Sequence, residues 1–281
     1  MTMRHVAIIG AGELGGAIAH LLARRDIARS IVLVDERGAV AAGKALDIAQ
    51  AAPVEGFATQ LSASSDVSSA AGADAIVVAE RVQGGEWSGE EAFALVKRLT
   101  ASAPAAVVIL AGTMSREAIE RSVHEGRIAG GRLIGTAPEA LASAARALTA
   151  LAVNGSPRDI ALPVLGAPPG HTIVAWEDAT IAGFALTRTI DEPTRRRLTA
   201  RIQAMWPPGP HALAAAAVKT VAAIDGRSRH LVTAFVAPAG PGRSARAAAV
   251  PIRLGPAGVV ELVMPELSAG ERVAFENAVM L

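Results

Sequence analysis

Residues 6–16, VAIIGAGELGG, set three glycines at positions 10, 12 and 15, and an aspartate, Asp35, closes the apolar run IVLVD roughly twenty positions further on. Those residue types at that spacing suit one task, holding a dinucleotide by its phosphates and its ribose. Gly10 permits a tight turn. Gly12 lets the backbone approach a pyrophosphate with no Cβ in the way, and Gly15 lets the following helix pack closely on its strand. A helix opening at Glu13 and Leu14 points unpaired N–H groups and a positive dipole end at the phosphates. Asp35 accepts hydrogen bonds from ribose hydroxyls and repels a 2′-phosphate, so NAD is favoured over NADP, a preference that Arg37 weakens only slightly. The glycine spacing alone occurs widely. Here it leaves a predicted strand, opens a predicted helix and has its acidic residue in place.

A second stretch raises a different chemistry. In VLGAPPGHTIVAW, residues 164–176, His171 follows two prolines and a glycine between two strand-like runs. An imidazole titrates near neutrality and is suited to general-base work, but only with geometry and pKa control supplied by partners. Its alternative is an ordinary loop histidine. The other five histidines, His5, His20, His124, His211 and His230, read as packed or solvated; they do not have metal-site spacing, no HExxH occurs, and no metal site is expected.

The elements that must position these groups alternate. Strand-like runs at 5–9, 31–34, 58–61, 75–79, 106–110 and 133–135 are separated by helical periodicity at 13–25, 39–51, 90–101 and 115–125, the second helix being expected to stop before Pro53. Such alternation implies a parallel sheet covered by helices on both faces, a doubly wound α/β fold of Rossmann type. After Pro138 the pattern changes to an α+β lobe. It has helices at 139–151, 193–205 and 211–224, an antiparallel pair at 160–165 and 172–176, three later strand-like runs and a closing helix. The expected organisation is a dinucleotide-binding domain over 1–137 and an α+β substrate-type domain over 138–281, with a flexible loop candidate at 237–247.

Composition narrows the partners. The 281 residues are 51% hydrophobic, much of it alanine, yet no run approaches the ~20 apolar residues of a membrane span. The net charge is +1, aromatics are 3% and tyrosine is absent, so neither a basic stripe nor stacking platforms for nucleic acid are present. Cysteine is absent, which excludes disulfides and thiolate chemistry, and the opening residues carry no export pattern. The expected partner is a small molecule and the expected compartment the cytoplasm.

With these motifs in order, the chain resembles the lactate/malate dehydrogenase family. The resemblance runs through VAIIGAGELGGAIAHLLA, IVLVD, GKALDIAQAAPVEGF, AGADAIVVA, RLIGTA, ALPVLG, AVPIRLGPAGV and PELSAGERVAFENAV, in family order over most of the chain. It implies NAD as cofactor, adds Ala79 and Gly112 to the cofactor-contacting positions, and implies a homodimer or homotetramer, because the GKALDIAQAAP helix packs on a second subunit in the family. It also implies a histidine base, an aspartate orienting it, arginines gripping the substrate carboxylate and an asparagine near the nicotinamide.

At those positions this chain has other residues. The base falls at Pro168, with His171 three residues later; the aspartate and one arginine fall at Leu141 and Ala144; the mobile-loop arginines fall at Gln83 and Gly89; the asparagine falls at Gly112; and Glu80 replaces a glycine beside the cofactor. Glu139 and Arg146 are each two residues from the positions they would have to fill, about 200° away around the helix. Three readings follow. The chain is a family member without normal dehydrogenase catalysis, an oxidoreductase for another hydroxyl substrate with His171 or His211 as base, or a non-catalytic NAD-responsive or scaffolding dimer.

Overall fold

The computed structural model describes residues 3–237 and 246–280, so most of the predicted 237–247 loop lies outside the described residues. In its first half β1 (Met3–Ile9), α1 (Glu13–Arg24), β2 (Ala28–Val34), α2 (Gly38–Glu55), β3 (Gln60–Ser64), β4 (Ala75–Val78), α3 (Gly89–Ser102), β5 (Val107–Leu110), α4 (Ser115–His124) and β6 (Leu133–Gly135) alternate. The strands lie in the order 3-2-1-4-5-6 and all pair in parallel. Residues 6–9, 31–34 and the whole of β4 and β5 are buried, as expected of strands covered on both faces. The period-two alternation splits them: Val6, Ile8, Ile31 and Leu33 face one layer with α1, while Ala7, Ile9, Val32 and Val34 face the other with α3 and α4.

The second half supplies α5 (Ala137–Ala152), β7 (Ile160–Ala161), β8 (Val164–Ala167), β9 (His171–Val174), β10 (Thr180–Ile181), β11 (Phe184–Ala185), α6 (Glu192–Gln203), α7 (Pro210–Ile224), β12 (Val232–Val236), β13 (Ala248–Gly255), β14 (Gly258–Leu262) and α8 (Ala269–Met280). The sheet does not stop between the halves. Phe235 of β12 pairs antiparallel with Gly135 of β6, and the sheet continues through β13, β8 and β9, eleven strands among the described residues with β14 beside β13. A small sheet, β11-β10-β7, stands apart. Alanines on α7, among them Ala214, Ala216 and Ala217, are buried, which lets that helix lie close against α1 and α5. No helix among the described residues is long and apolar enough to cross a membrane.

Two expectations need correction. Helix α2 does not end before Pro53 but continues to Glu55, where Gly56 closes it at φ 77°. Pro53 lies in the exposed last turn, so its missing N–H costs one hydrogen bond and its ring faces solvent. The expected strand at 160–165 is split. Ile160–Ala161 pairs with β10, and Val164–Ala167 joins the main sheet, because Pro163 between them has no N–H to offer a ladder and contributes only its carbonyl, which accepts from Ala175 N–H at 3.0 Å.

Phe235 is fully buried where the halves meet and presents its ring edge-on to Trp206, centroids 6.2 Å apart. Phe235→Ala is expected to destabilise the fold by about 3–5 kcal/mol. Urea unfolding checks this; an unchanged midpoint would mean that the junction does not depend on that ring.

Candidate cofactor-binding site

Parallel pairing makes each strand of the first half deliver its chain to the same edge of the sheet, and the turn from β1 into α1 lies there beside the ends of β2 and β4. At that turn Gly10 has φ +104°, and a Cβ on it would press on the carbonyl of Ala79, 2.5 Å away. A Cβ on Gly15 would overlap the carbonyl oxygen of Gly10, so the glycine there permits the close helix–strand approach expected of it. Gly12 caps α1 without a side chain, leaving the helix's first turn to other partners.

Asp35 ends β2 and is 5% exposed. Its Oδ2 accepts from Ala11 N–H at 2.9 Å and Val82 N–H at 3.0 Å, and its Oδ1 accepts from Arg37 N–H at 3.0 Å. Burial pushes the carboxyl pKa up, but the three N–H donors, helped by Lys44, hold it below the usual carboxylate range.

The segment from Glu80 to Trp87 runs across this crevice as a strap. Arg81 and Gly85 form a short antiparallel bridge closed by Gly84 and Gly85 at positive φ. The Arg81 guanidinium lies over Trp87, 4.4 Å from the ring centroid, and pairs with Glu91 of α3 at 3.0 Å. Gln83, exposed at the tip, accepts a hydrogen bond from Arg37.

The strap brings two carboxylates inward. Glu80 Oε1 accepts from Leu14 N–H at 2.7 Å in the first turn of α1, and the Glu80 backbone carbonyl accepts from Gly12 N–H at 3.1 Å. A Cβ on Gly12 would overlap the Glu80 carboxylate, so the space that this glycine leaves beside the backbone is taken by a side chain of the same protein. Lys44 of α2 donates to the Gly12 carbonyl. Burial raises the Glu80 pKa and the nearby Glu86 adds to the rise, while Leu14 N–H and Lys44 oppose it. Glu86 makes a matching contact one helix further on. Its Oε2 accepts from Met114 N–H at 2.9 Å just before α4, and its Oε1 accepts from the Thr113 hydroxyl at 3.0 Å. Only about 20 Å³ remains between Ala79, Gly112, Glu86 and Trp87.

The structure therefore brings Gly10, Gly12, Glu13, Leu14, Gly15, Asp35 and Ala79 together around one turn, with Gly112 beside Glu86. Lys44 and Glu86 were not singled out in the sequence. Lys44 sits in GKALDIAQ and Glu86 in the mobile-loop segment, and neither type at either place marks an inward contact. As a test for a dinucleotide, the backbone frame fits: the glycine turn, the helix start and the acid ending β2 are all in place. The closed position of Glu80 does not, because its carboxylate engages the Leu14 N–H that a pyrophosphate would use.

The histidines lie elsewhere. His171 is exposed at the start of β9 and lines a cavity of about 620 Å³ with Gln203, Asn277 and Met280, without a carboxylate or guanidinium in its lining. His211 is exposed in the first turn of α7. Neither ring has a hydrogen-bond or ion-pair partner among the described residues. Pro168 follows β8 directly, Leu141 is fully buried in an apolar cluster, and Ala144 is half-buried on α5. Glu139, 2% exposed, is tied to Arg146 at 2.7 Å, Lys219 at 2.6 Å and Thr233 N–H at 2.8 Å. No group of acidic or histidine side chains able to hold a metal ion occurs among the described residues.

Residues 4–98 match the family described as lactate/malate dehydrogenase, NAD binding domain. Over 98% of this chain and 94% of its own length, a malate dehydrogenase from Thermomicrobium roseum is 29% identical, and one from Syntrophotalea carbinolica is 46% identical over 28% of this chain and 24% of its own. Among solved structures, malate dehydrogenase from Salinibacter ruber aligns with TM-score 0.86 at 21% identity, covering 98% of this chain and 93% of that one. Lactate dehydrogenase from Cryptosporidium parvum, complexed with lactic acid and NAD, aligns with TM-score 0.87 at 20% identity, covering 100% and 96%. The frame around Gly10, Gly12 and Asp35 is that of an NAD-binding domain.

Asp35→Asn is expected to lower stability by about 1–3 kcal/mol at pH 7, since an amide presents only one oxygen to three N–H donors. The native pKa is depressed, so the carboxylate's contribution is present above its unfolded value of about 3.9 and is lost as pH falls through the lower native value. The gap in urea midpoint between wild type and variant should narrow in that acidic window; a gap of constant size would rule out the charge as its source.

Proposed function

We propose, from the premise that the chain belongs to the lactate/malate dehydrogenase family, that it is an NAD-binding protein of that family without 2-hydroxy-acid dehydrogenase activity. The observation that carries this reading is Leu141. It lies fully buried in an apolar cluster at the position where the family resemblance implies the carboxylate that orients the base. A buried leucine neither accepts a proton nor fixes an imidazole tautomer.

The remaining positions support the same reading. Pro168 cannot carry a proton. Gln83 is a neutral amide bonded to Arg37, and Gly89, Ala144 and Gly112 have no polar side chain. A planar guanidinium grips a carboxylate in two places, and none stands at these positions. The nearest substitutes are already engaged: Glu139 is neutralised by Arg146 and Lys219, facing β12 and α7. His171 sits in a cavity with neutral neighbours and lacks the carboxylate partner that would set its tautomer.

We propose further that the protein works as a homodimer or homotetramer through α2. Leu46 and Val54 on that helix are 61% and 90% exposed, apolar surface that a second copy would cover.

Loss of a proton carrier alone costs about 10²–10⁴ in rate, and the carboxylate grip is missing as well. Purified protein given NAD with malate or lactate is expected to produce NADH at least about 10⁴-fold more slowly than an active dehydrogenase of the family. Ready NAD-dependent turnover of either acid would refute the reading.

A further inference from the structure

Four observations at the crevice converge on one segment. Glu80 occupies the N–H donor of Leu14 and the space over Gly12. Val82 N–H, two residues on, uses Asp35 Oδ2, the acid expected to meet a ribose. Glu86 takes Met114 N–H and the Thr113 hydroxyl beside Gly112. The strap also leaves polar atoms of its own unmatched: Glu80 Oε2, Arg81 Nε and Trp87 Nε1 are buried with no hydrogen-bond partner among the described residues.

We infer that the strap of residues 80–87 is an internal ligand of the dinucleotide cleft: Glu80 stands in for the pyrophosphate, Val82 N–H for the ribose hydroxyl and Glu86 for the distal half, so that NAD enters only when the strap is displaced. This rests on the NAD-binding reading of the cleft. The chemistry of imitation is direct. A carboxylate and a phosphate oxygen are both anionic acceptors, and the start of a helix offers either one the same N–H donors and the same positive dipole end. A backbone N–H replaces a ribose hydroxyl as the donor to Asp35. An anionic ligand and Glu80 cannot share the Leu14 N–H, so the two compete.

The strap is built to leave. Its only cation, Arg81, pairs with exposed Glu91 rather than with either inward carboxylate, and Gly84, Gly85 and Gly89 hold positive φ on its far arm and beyond, where a change of path costs little. The buried, unmatched Glu80 Oε2 is a polar penalty of the closed state that exposure to water would relieve. The charged groups facing Glu80 are Lys44 from α2 and Glu86 from the strap itself, while α1 contributes only backbone N–H. Because the closed state raises the Glu80 pKa, closure is favoured below the ordinary carboxylate value. It weakens as pH rises through the raised one, so opening releases a proton.

The apparent dissociation constant of a ligand that needs the open state is its intrinsic value divided by the open fraction. Calorimetric titration of the full chain with NAD and with ADP-ribose, which keeps the pyrophosphate and lacks the nicotinamide, tests this on wild type, Glu80→Ala, Glu80→Gln and Glu86→Gln. Glu80→Ala is expected to bind both ligands at least about tenfold more tightly than wild type while melting at a lower temperature. A side chain that merely capped α1 would lower the melting temperature and leave affinity unchanged or weaker. Glu80→Gln, which keeps the shape and the acceptor oxygen but not the charge that burial penalises, is expected to bind both ligands no more tightly than wild type at pH 7 and to abolish the rise in affinity with pH across the acid range. Glu86→Gln is expected to tighten NAD more than ADP-ribose. Equal affinity of wild type and Glu80→Ala would overturn the internal-ligand proposal and leave the NAD-binding reading standing. Failure of all four proteins to bind either ligand at millimolar concentration would overturn both.

Discussion

Helix N-termini gathered at one edge of a parallel sheet create a field that an anion must answer. Parallel pairing of β1, β2, β4 and β5 forces each crossover to leave at the same edge, and the turn at Gly12 and the residues just before α4 both open onto it. Unpaired N–H groups there carry partial positive charge, and leaving them without an acceptor in a half-buried crevice is costly. In this chain Glu80 and Glu86 answer that demand from within. The strap's path, the positive φ of its glycines and the stacking of Arg81 on Trp87 follow from delivering two carboxylates to two helix starts.

In the second half the buried charge serves the junction between the two halves of the sheet. Helix α5 places Leu141 into an apolar cluster and directs its one buried acid, Glu139, toward α7 and β12. There Glu139 collects Arg146, Lys219 and the Thr233 N–H, two cations and a backbone donor for one carboxylate. A buried acid with that many partners is held in place by the cost of unpairing it. It ties α5 to α7 and to the strand that continues the sheet from the first half, and so serves the same junction that Phe235 fills with apolar volume.

Much of the architecture was legible in the sequence because it rests on local rules. The glycine spacing, the acid ending IVLVD and the strand–helix alternation required the doubly wound order, and burial of residues 6–9 and 31–34 follows from their unbroken apolar character. Proline was the weak point. Pro53 was tolerated in an exposed last turn, whereas Pro163 divided what looked like one strand between two sheets. A proline forbids a hydrogen bond, but whether that bond was needed depends on neighbours far away in the chain.

By itself, the sequence determined the dinucleotide frame and the presence of an acid at Glu80. Only the tertiary structure decided what that acid does. Glu80 and Leu14 are separated by 66 positions, Glu86 and Met114 by 28, and Glu139 and Thr233 by 94. Residue type and periodicity describe the chain along its length, while an acceptor finds its donor through space, at a distance set by how the strands pair and where each crossover returns.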